Sequence, residues 1–131
     1  MPTALIVEDE PEANRLLSML IQLRGYSTRS AFTGQEAIAV VEGLDPPDVV
    51  FLDLMLPDTN GFEVCRQIKS RPQSCAIPVV MVTARLVEEN RARSAQVGAD
   101  GFIPKPYTPN QIFDALASAD AIRRSQGELA E

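Results

Sequence analysis

Five polar residues stand directly at the ends of short apolar runs: Glu8 and Asp9, Asp53, Thr83 and Lys105. Carboxylates packed together repel one another, and a cluster of them left alone raises some of their pKa values. A hard divalent cation relieves that repulsion. The chain has no His, so an oxygen-only donor set of this kind suits Mg²⁺ or Ca²⁺ better than zinc. A lysine ammonium and a threonine hydroxyl then match the remaining oxygens of a phosphoryl group, supplying charge and a hydrogen bond where negative charge develops. Asp53 is left as a nucleophile that would form an aspartyl phosphate.

Each residue alone has a plainer explanation. An Asp after a strand is commonly a loop acid or a helix cap. Glu8-Asp9-Glu10 would favour the start of a following helix, Thr83 could cap one, and Lys105 could be a solvent lysine. Phe102 alone would be core, and Pro106 a turn residue. The chemistry requires that these residues meet at one rim, so the elements carrying them decide the matter.

Ala4–Val7, Val49–Leu52 and Val79–Val82 are apolar throughout and rich in β-branched residues, the pattern of strands buried on both faces of a parallel sheet. Phe102–Ile103 and the polar run Ser27–Ala31 predict two more strands. Both are edges, the former because Pro104 cannot donate to a central ladder, the latter because it is short and polar. Helical patterns lie between. One carries Leu16, Leu17, Leu20, Ile21 and Leu23. A second opens on the capping box Thr33-Gly34-Gln35-Glu36, runs through Ala37, Ile38 and Val41, and is stopped by Asp45-Pro46-Pro47. A third opens at Asn60-Gly61, carries Phe62, Val64, Cys65 and Ile68, and ends near Pro72. Glu88 to Val97 forms a fourth, closed by Gly98. Pro109 to about Arg123 forms a fifth, with Ile112, Phe113 and Leu116 inward. Strand and helix alternate five times, which implies a parallel sheet with helices on both faces. Edges at strands two and five match the flavodoxin-like order 2-1-3-4-5, whose ligands bind outside the carboxyl ends of the strands. Residues 1–124 are read as one domain and 125–131 as a flexible tail.

Composition narrows the function. The chain has 131 residues, 45% hydrophobic and 23% charged, which suits one globular domain. Net charge is −6, opposite in sign to a nucleic-acid footprint, so no direct contact with DNA or RNA is expected. Without His there is no Ser–His–Asp triad and no phosphohistidine on this chain. Cys65 and Cys75 lack metal-site spacing and read as reduced thiols. Neither a signal peptide nor a membrane span is apparent, so a cytoplasmic location is expected.

At these residues the sequence resembles the receiver domain of two-component response regulators, over about residues 3 to 123. The matching pieces are Leu5-Ile6-Val7-Glu8-Asp9-Glu10, Asp53-Leu54-Met55-Leu56-Pro57 with Gly61, Val82-Thr83-Ala84, and Gly98-Ala99-Asp100 with Lys105-Pro106. The resemblance implies that Asp53 takes a phosphoryl group from a sensor histidine kinase or phosphotransfer protein. It implies that Glu8, Asp9, Asp53 and the backbone carbonyl of Met55 hold Mg²⁺, and that Thr83 and Lys105 bind the phosphoryl oxygens. Phe102 would change rotamer as Thr83 moves, and the Lys105–Pro106 bond would be cis. The face built from helix four, strand five and helix five would then bind a downstream protein, an output domain or a second copy. Such a protein is a phosphoacceptor switch that catalyses only its own phosphorylation and dephosphorylation.

Two positions vary from the common pattern: the acidic pair is Glu-Asp where many members have Asp-Asp, and the switch residue is Phe where many have Tyr. Met55 and Arg85 stand where the family tunes phosphate hydrolysis. Three rivals fit less well. A phosphatase of the haloacid dehalogenase type needs a second Asp two residues after the nucleophile, and that residue is Met55. An FMN-binding flavodoxin needs a Ser-, Thr- and Gly-rich phosphate loop where Glu8-Asp9-Glu10-Pro11-Glu12 would repel phosphate. A receiver-like module that is never phosphorylated typically lacks a member of the acid, Thr and Lys set, which is complete here.

Overall fold

The computed structural model describes residues 1–84 and 88–130, so Arg85 lies outside the described residues. Strands β1 (Thr3–Val7), β2 (Ser27–Ala31), β3 (Val49–Leu52), β4 (Val79–Thr83) and β5 (Gly101–Pro104) alternate with helices α1 (Pro11–Gln22), α2 (Gly34–Glu42), α3 (Gly61–Ser70), α4 (Glu88–Gln96) and α5 (Pro109–Ala130). The strands are parallel in the order β2-β1-β3-β4-β5. This is the flavodoxin-like α/β sandwich that the apolar runs predict.

The two-residue period of a strand explains why the central runs are apolar throughout. Leu5, Val7, Val50, Leu52, Val79 and Met81 face one core with Ala37 and Val41 of α2 and Val64, Cys65 and Ile68 of α3. Ala4, Ile6, Val49, Phe51, Val80 and Val82 face the other with Leu17 and Ile21 of α1 and Ile112, Leu116 and Ala119 of α5. Two helical layers therefore bury both sides of one sheet. No helix among the described residues is long and apolar enough to cross a membrane.

Local signals place the helix starts. Thr33 Oγ1 accepts the Glu36 N–H at 3.0 Å, and Asn60 Oδ1 accepts the Glu63 N–H at 3.0 Å. The return arm of the Thr33 capping box goes elsewhere: Glu36 Oε2 accepts from Phe32 N at 3.3 Å rather than from the cap itself. Gly98, at φ +96°, follows α4 in a left-handed conformation that a side chain would strain.

Three expectations change. Leu16 is 53% exposed, on the solvent side of α1, and Leu23, 73% exposed, lies beyond the last helical residue, Gln22. Phe113 is only half-buried, with the Arg24 guanidinium 4.0 Å over its ring. Finally, α5 continues past Arg123 to Ala130, since no proline interrupts Ser125–Ala130 and Gln126 Nε2 donates to the Ala76 carbonyl at 3.0 Å. Cys65 is buried and Cys75 exposed, both free, and burial pushes the Cys65 thiol up to about 11.

Candidate functional site

The ladder carries the site residues one step beyond the strands. Glu8 follows β1, and its N–H donates to Ala31 O at 3.0 Å. Asp53 follows β3 and donates to Val7 O at 3.0 Å. Lys105 follows β5 and donates to Thr83 O at 2.8 Å. Each is thus held by the last residue of the neighbouring strand, so sheet register sets their relative height. Their side chains meet: Lys105 Nζ stands 2.5 Å from Glu8 Oε1 and 3.2 Å from Asp53 Oδ2. Asp53 Oδ1 also accepts the Met55 N–H at 3.1 Å.

These groups line an open cleft of about 410 Å³ with Asp9, Glu10, Met55, Leu56, Pro57, Thr83 and Ala84. Glu8 is only 5% exposed and Thr83 is buried, whereas Asp9 is exposed at the rim. The Lys105–Pro106 peptide is cis. Phe102, on β5, is half-buried against the α2–α3 core, and the Arg91 guanidinium of α4 lies 4.9 Å from its ring centre.

Burial pushes the Glu8 carboxyl up to about 7. The Lys105 hydrogen bond pulls it down, and the adjacent Asp53 carboxylate adds to the rise. Burial also pulls the Lys105 ammonium down, but the Glu8 and Asp53 carboxylates outweigh it and leave it raised. The structure thus contains an acid that burial discourages from ionising, beside another acid, at the mouth of a solvent-open cleft. That chemistry fits a hard cation. Among the described residues no three acid, thiol or imidazole groups already form a cage, and Mg²⁺ does not require one, since it usually takes one or two carboxylates plus water and phosphate oxygens.

The titration of Glu8 has a measurable consequence. With divalent ions chelated, the folded chain keeps a proton on Glu8 between its ordinary value of 4.5 and about 7, where the unfolded chain has released it. Stability should therefore fall as pH rises through that window. Glu63, held at about 2 by Arg66, and Asp58, held low by backbone N–H groups, exert their effects at lower pH. Thermal melts in chelator are expected to show a falling midpoint from the bottom to the top of the window, flattened in Glu8→Gln. A flat wild-type profile contradicts this.

One supporting residue escaped the sequence reading. Asn14 is 2% exposed; its Nδ2 donates to Glu8 O at 3.1 Å and Ile6 O at 3.3 Å, and its Oδ1 accepts from Ser30 Oγ at 2.6 Å. It ties the acidic end of β1 to α1 and β2. Its signal was available: Asn14, Leu17 and Ile21 share one helix face, so a polar residue occupies a core position.

Comparison with known proteins identifies the family. The family model of the response regulator receiver domain matches residues 4–117, and the chain belongs to that family of two-component signalling domains. Receiver domains are phosphoacceptor switches rather than conventional enzymes, and as a class they bind Mg²⁺. The transcriptional regulatory protein ResD of Bacillus subtilis (strain 168) is 41% identical over 109 residues, 82% of this chain and 43% of ResD. The CheY-like receiver domain protein of Methanospirillum hungatei JF-1 superposes with a TM-score of 0.85 at 27% identity, covering 95% of this chain and 98% of that one. The Mn²⁺-bound form of response regulator Rcp1 gives a TM-score of 0.76 at 25% identity, covering 87% and 88%. The chain spans about half the length of the curated relatives it matches.

Proposed function

We propose that this chain accepts a phosphoryl group on Asp53 from a histidine kinase or phosphotransfer protein, and that residues 1–124 form the receiver domain that does so. The observation that carries this reading is the meeting of Glu8, Asp53 and Lys105 from three strand ends at one open cleft. A carboxylate oxygen of Asp53 attacks phosphorus, and the bond to the donor imidazole breaks with its electron pair on nitrogen. Lys105 and the Thr83 hydroxyl would take the phosphoryl oxygens, where their charge and hydrogen bond offset the developing negative charge. Glu8, Asp9, Asp53 and the Met55 carbonyl would hold Mg²⁺, which when bound neutralises charge between acceptor and phosphoryl group; that the similar regulator Rcp1 has a Mn²⁺-bound form supports a divalent ion here.

The consequence is a change at the face built from α4, β5 and α5. A phosphoryl group adds about −1.5 to −2 charge. Thr83 moves toward it, and Phe102 turns into the space Thr83 leaves. This biases a pre-existing equilibrium rather than creating a fold. The face would then bind a downstream protein, an output domain or a second copy of the chain, in a cytoplasmic setting.

Incubation with acetyl phosphate and Mg²⁺ tests the first step. Intact-mass measurement should show one phosphoryl group, mapped to Asp53, and chelation should abolish it. Failure to label with Mg²⁺ present, or labelling indifferent to chelation, overturns the reading.

A further inference from the structure

One wall of the acidic cleft is Met55–Pro57, part of a loop that leaves β3 without a strand beside it. At its base Met55 pairs with Asn60, Leu56 N donates to Thr59 O at 3.3 Å, and Gly61 N donates to Leu54 O at 2.8 Å. The tip is Asp58, and its carboxylate points out of the loop. Oδ1 accepts the Gly34 N–H at 2.8 Å and Oδ2 the Gln35 N–H at 3.0 Å. Those are the first two residues of α2, whose N–H groups have no acceptor within the helix, and a negative charge is favoured there. The two backbone bonds hold the Asp58 carboxyl below its ordinary range. The approach depends on Gly34: a Cβ there would overlap Thr59 Cγ2 and stand 3.0 Å from Val64 Cγ2.

We propose that Asp58 is a positioning residue, which clamps the β3–α3 loop onto the N-terminus of α2 and so sets where the Met55 carbonyl stands at the metal site. The proposal rests on reading the cleft as an Mg²⁺ site. Met55 is held at one end by its N–H on Asp53 and Leu56 packs against the core, while the tip of the loop is tied to α2 by the two bonds to the Asp58 carboxylate. Mg²⁺ demands near-ideal octahedral geometry, so a carbonyl ligand on an unclamped loop loses affinity. No local sequence pattern marks Asp58, because its partners are 24 and 23 residues away.

Mg²⁺ titrations by calorimetry, each paired with a thermal melt, test this on the whole chain. Asp58→Ala is expected to weaken Mg²⁺ binding about tenfold, the lower end of what losing an outer-shell partner costs. Asp58→Asn keeps one acceptor oxygen and should fall between. Thr33→Ala removes the other cap of α2, the bond to Glu36 N, so it should lower the melting temperature while leaving the affinity unchanged. Unchanged affinity in Asp58→Ala, or an equal loss in Thr33→Ala, overturns the clamp. Asp9→Asn separates the two levels: if it leaves wild-type Mg²⁺ binding intact, the reading of the cleft fails and the clamp with it.

Discussion

Asp53→Asn should reduce phosphoryl incorporation from a small phosphodonor by at least about 100-fold, because the amide is not a nucleophile and no other group replaces it. The remaining carboxylate in direct contact with Lys105 is Glu8, which is 5% exposed and bonded to Lys105 at 2.5 Å. It therefore cannot take over without breaking its hydrogen bond to Lys105. The substitution should leave the fold intact. An Asn oxygen can still accept the Met55 N–H that Asp53 Oδ1 accepts at 3.1 Å, and Lys105 keeps Glu8. One carboxylate fewer also relieves Glu8, whose carboxyl is raised partly by Asp53. The stability profile between the ordinary Glu8 value and about 7 should flatten accordingly. Labelling and melts on the same variant therefore separate lost chemistry from lost structure. Undiminished labelling would place the acceptor elsewhere.

The second large effect is on stability. Gly61 opens α3 directly behind Asp53. A Cβ there would overlap the Asp53 carbonyl oxygen, and would stand 2.9 Å from Leu54 Cα and 3.0 Å from Met81 Cε. The first two are backbone at the end of β3 and cannot swing aside. Gly61→Ala must therefore push the start of α3 off the strand and stretch the Gly61 N–H to Leu54 O bond of 2.8 Å. Forcing volume into a packed interior costs about 1–3 kcal/mol, and the upper part of that range is expected because the obstacle is main chain. The displaced backbone carries Asp53, so phosphoryl acceptance should fall as well. Gly127 is the control. It lies in α5 with nothing near its missing Cβ, and Gly127→Ala should stabilise by roughly 0.5–1 kcal/mol through backbone entropy alone. Urea denaturation of both variants checks the contrast; equal stabilities would refute it.

The order of elements was legible because burial leaves a periodic trace. β1, β3 and β4 read as unbroken apolar runs, since a strand covered on both faces has no solvent side to mark with polar residues. The ends of those runs were legible too, because Glu8, Asp53 and Thr83 break them abruptly, as Lys105 does after β5. Boundaries were looser where no side chain enforces them: α5 runs on to Ala130 because no proline in its last residues stops a helix, and α1 ends at Gln22, one residue short of Leu23.

Chain order and residue type alone were enough to set the sheet order, the single rim and the set of groups that meet there. Those follow from period, punctuation and the rule that parallel strands present their carboxyl ends together. Tertiary structure alone decided how the groups share their charges. Lys105 lies nearer Glu8 than Asp53, 2.5 Å against 3.2 Å, and burial pushes the Glu8 carboxyl toward neutrality. Asp58 caps a helix that begins 24 residues before it, and Asn14 holds a carbonyl of the acidic strand end. Asp53 remains the proposed phosphoacceptor. Its neighbours' distances come from strand register and loop packing, which act between segments remote in sequence and leave no periodic trace along the chain.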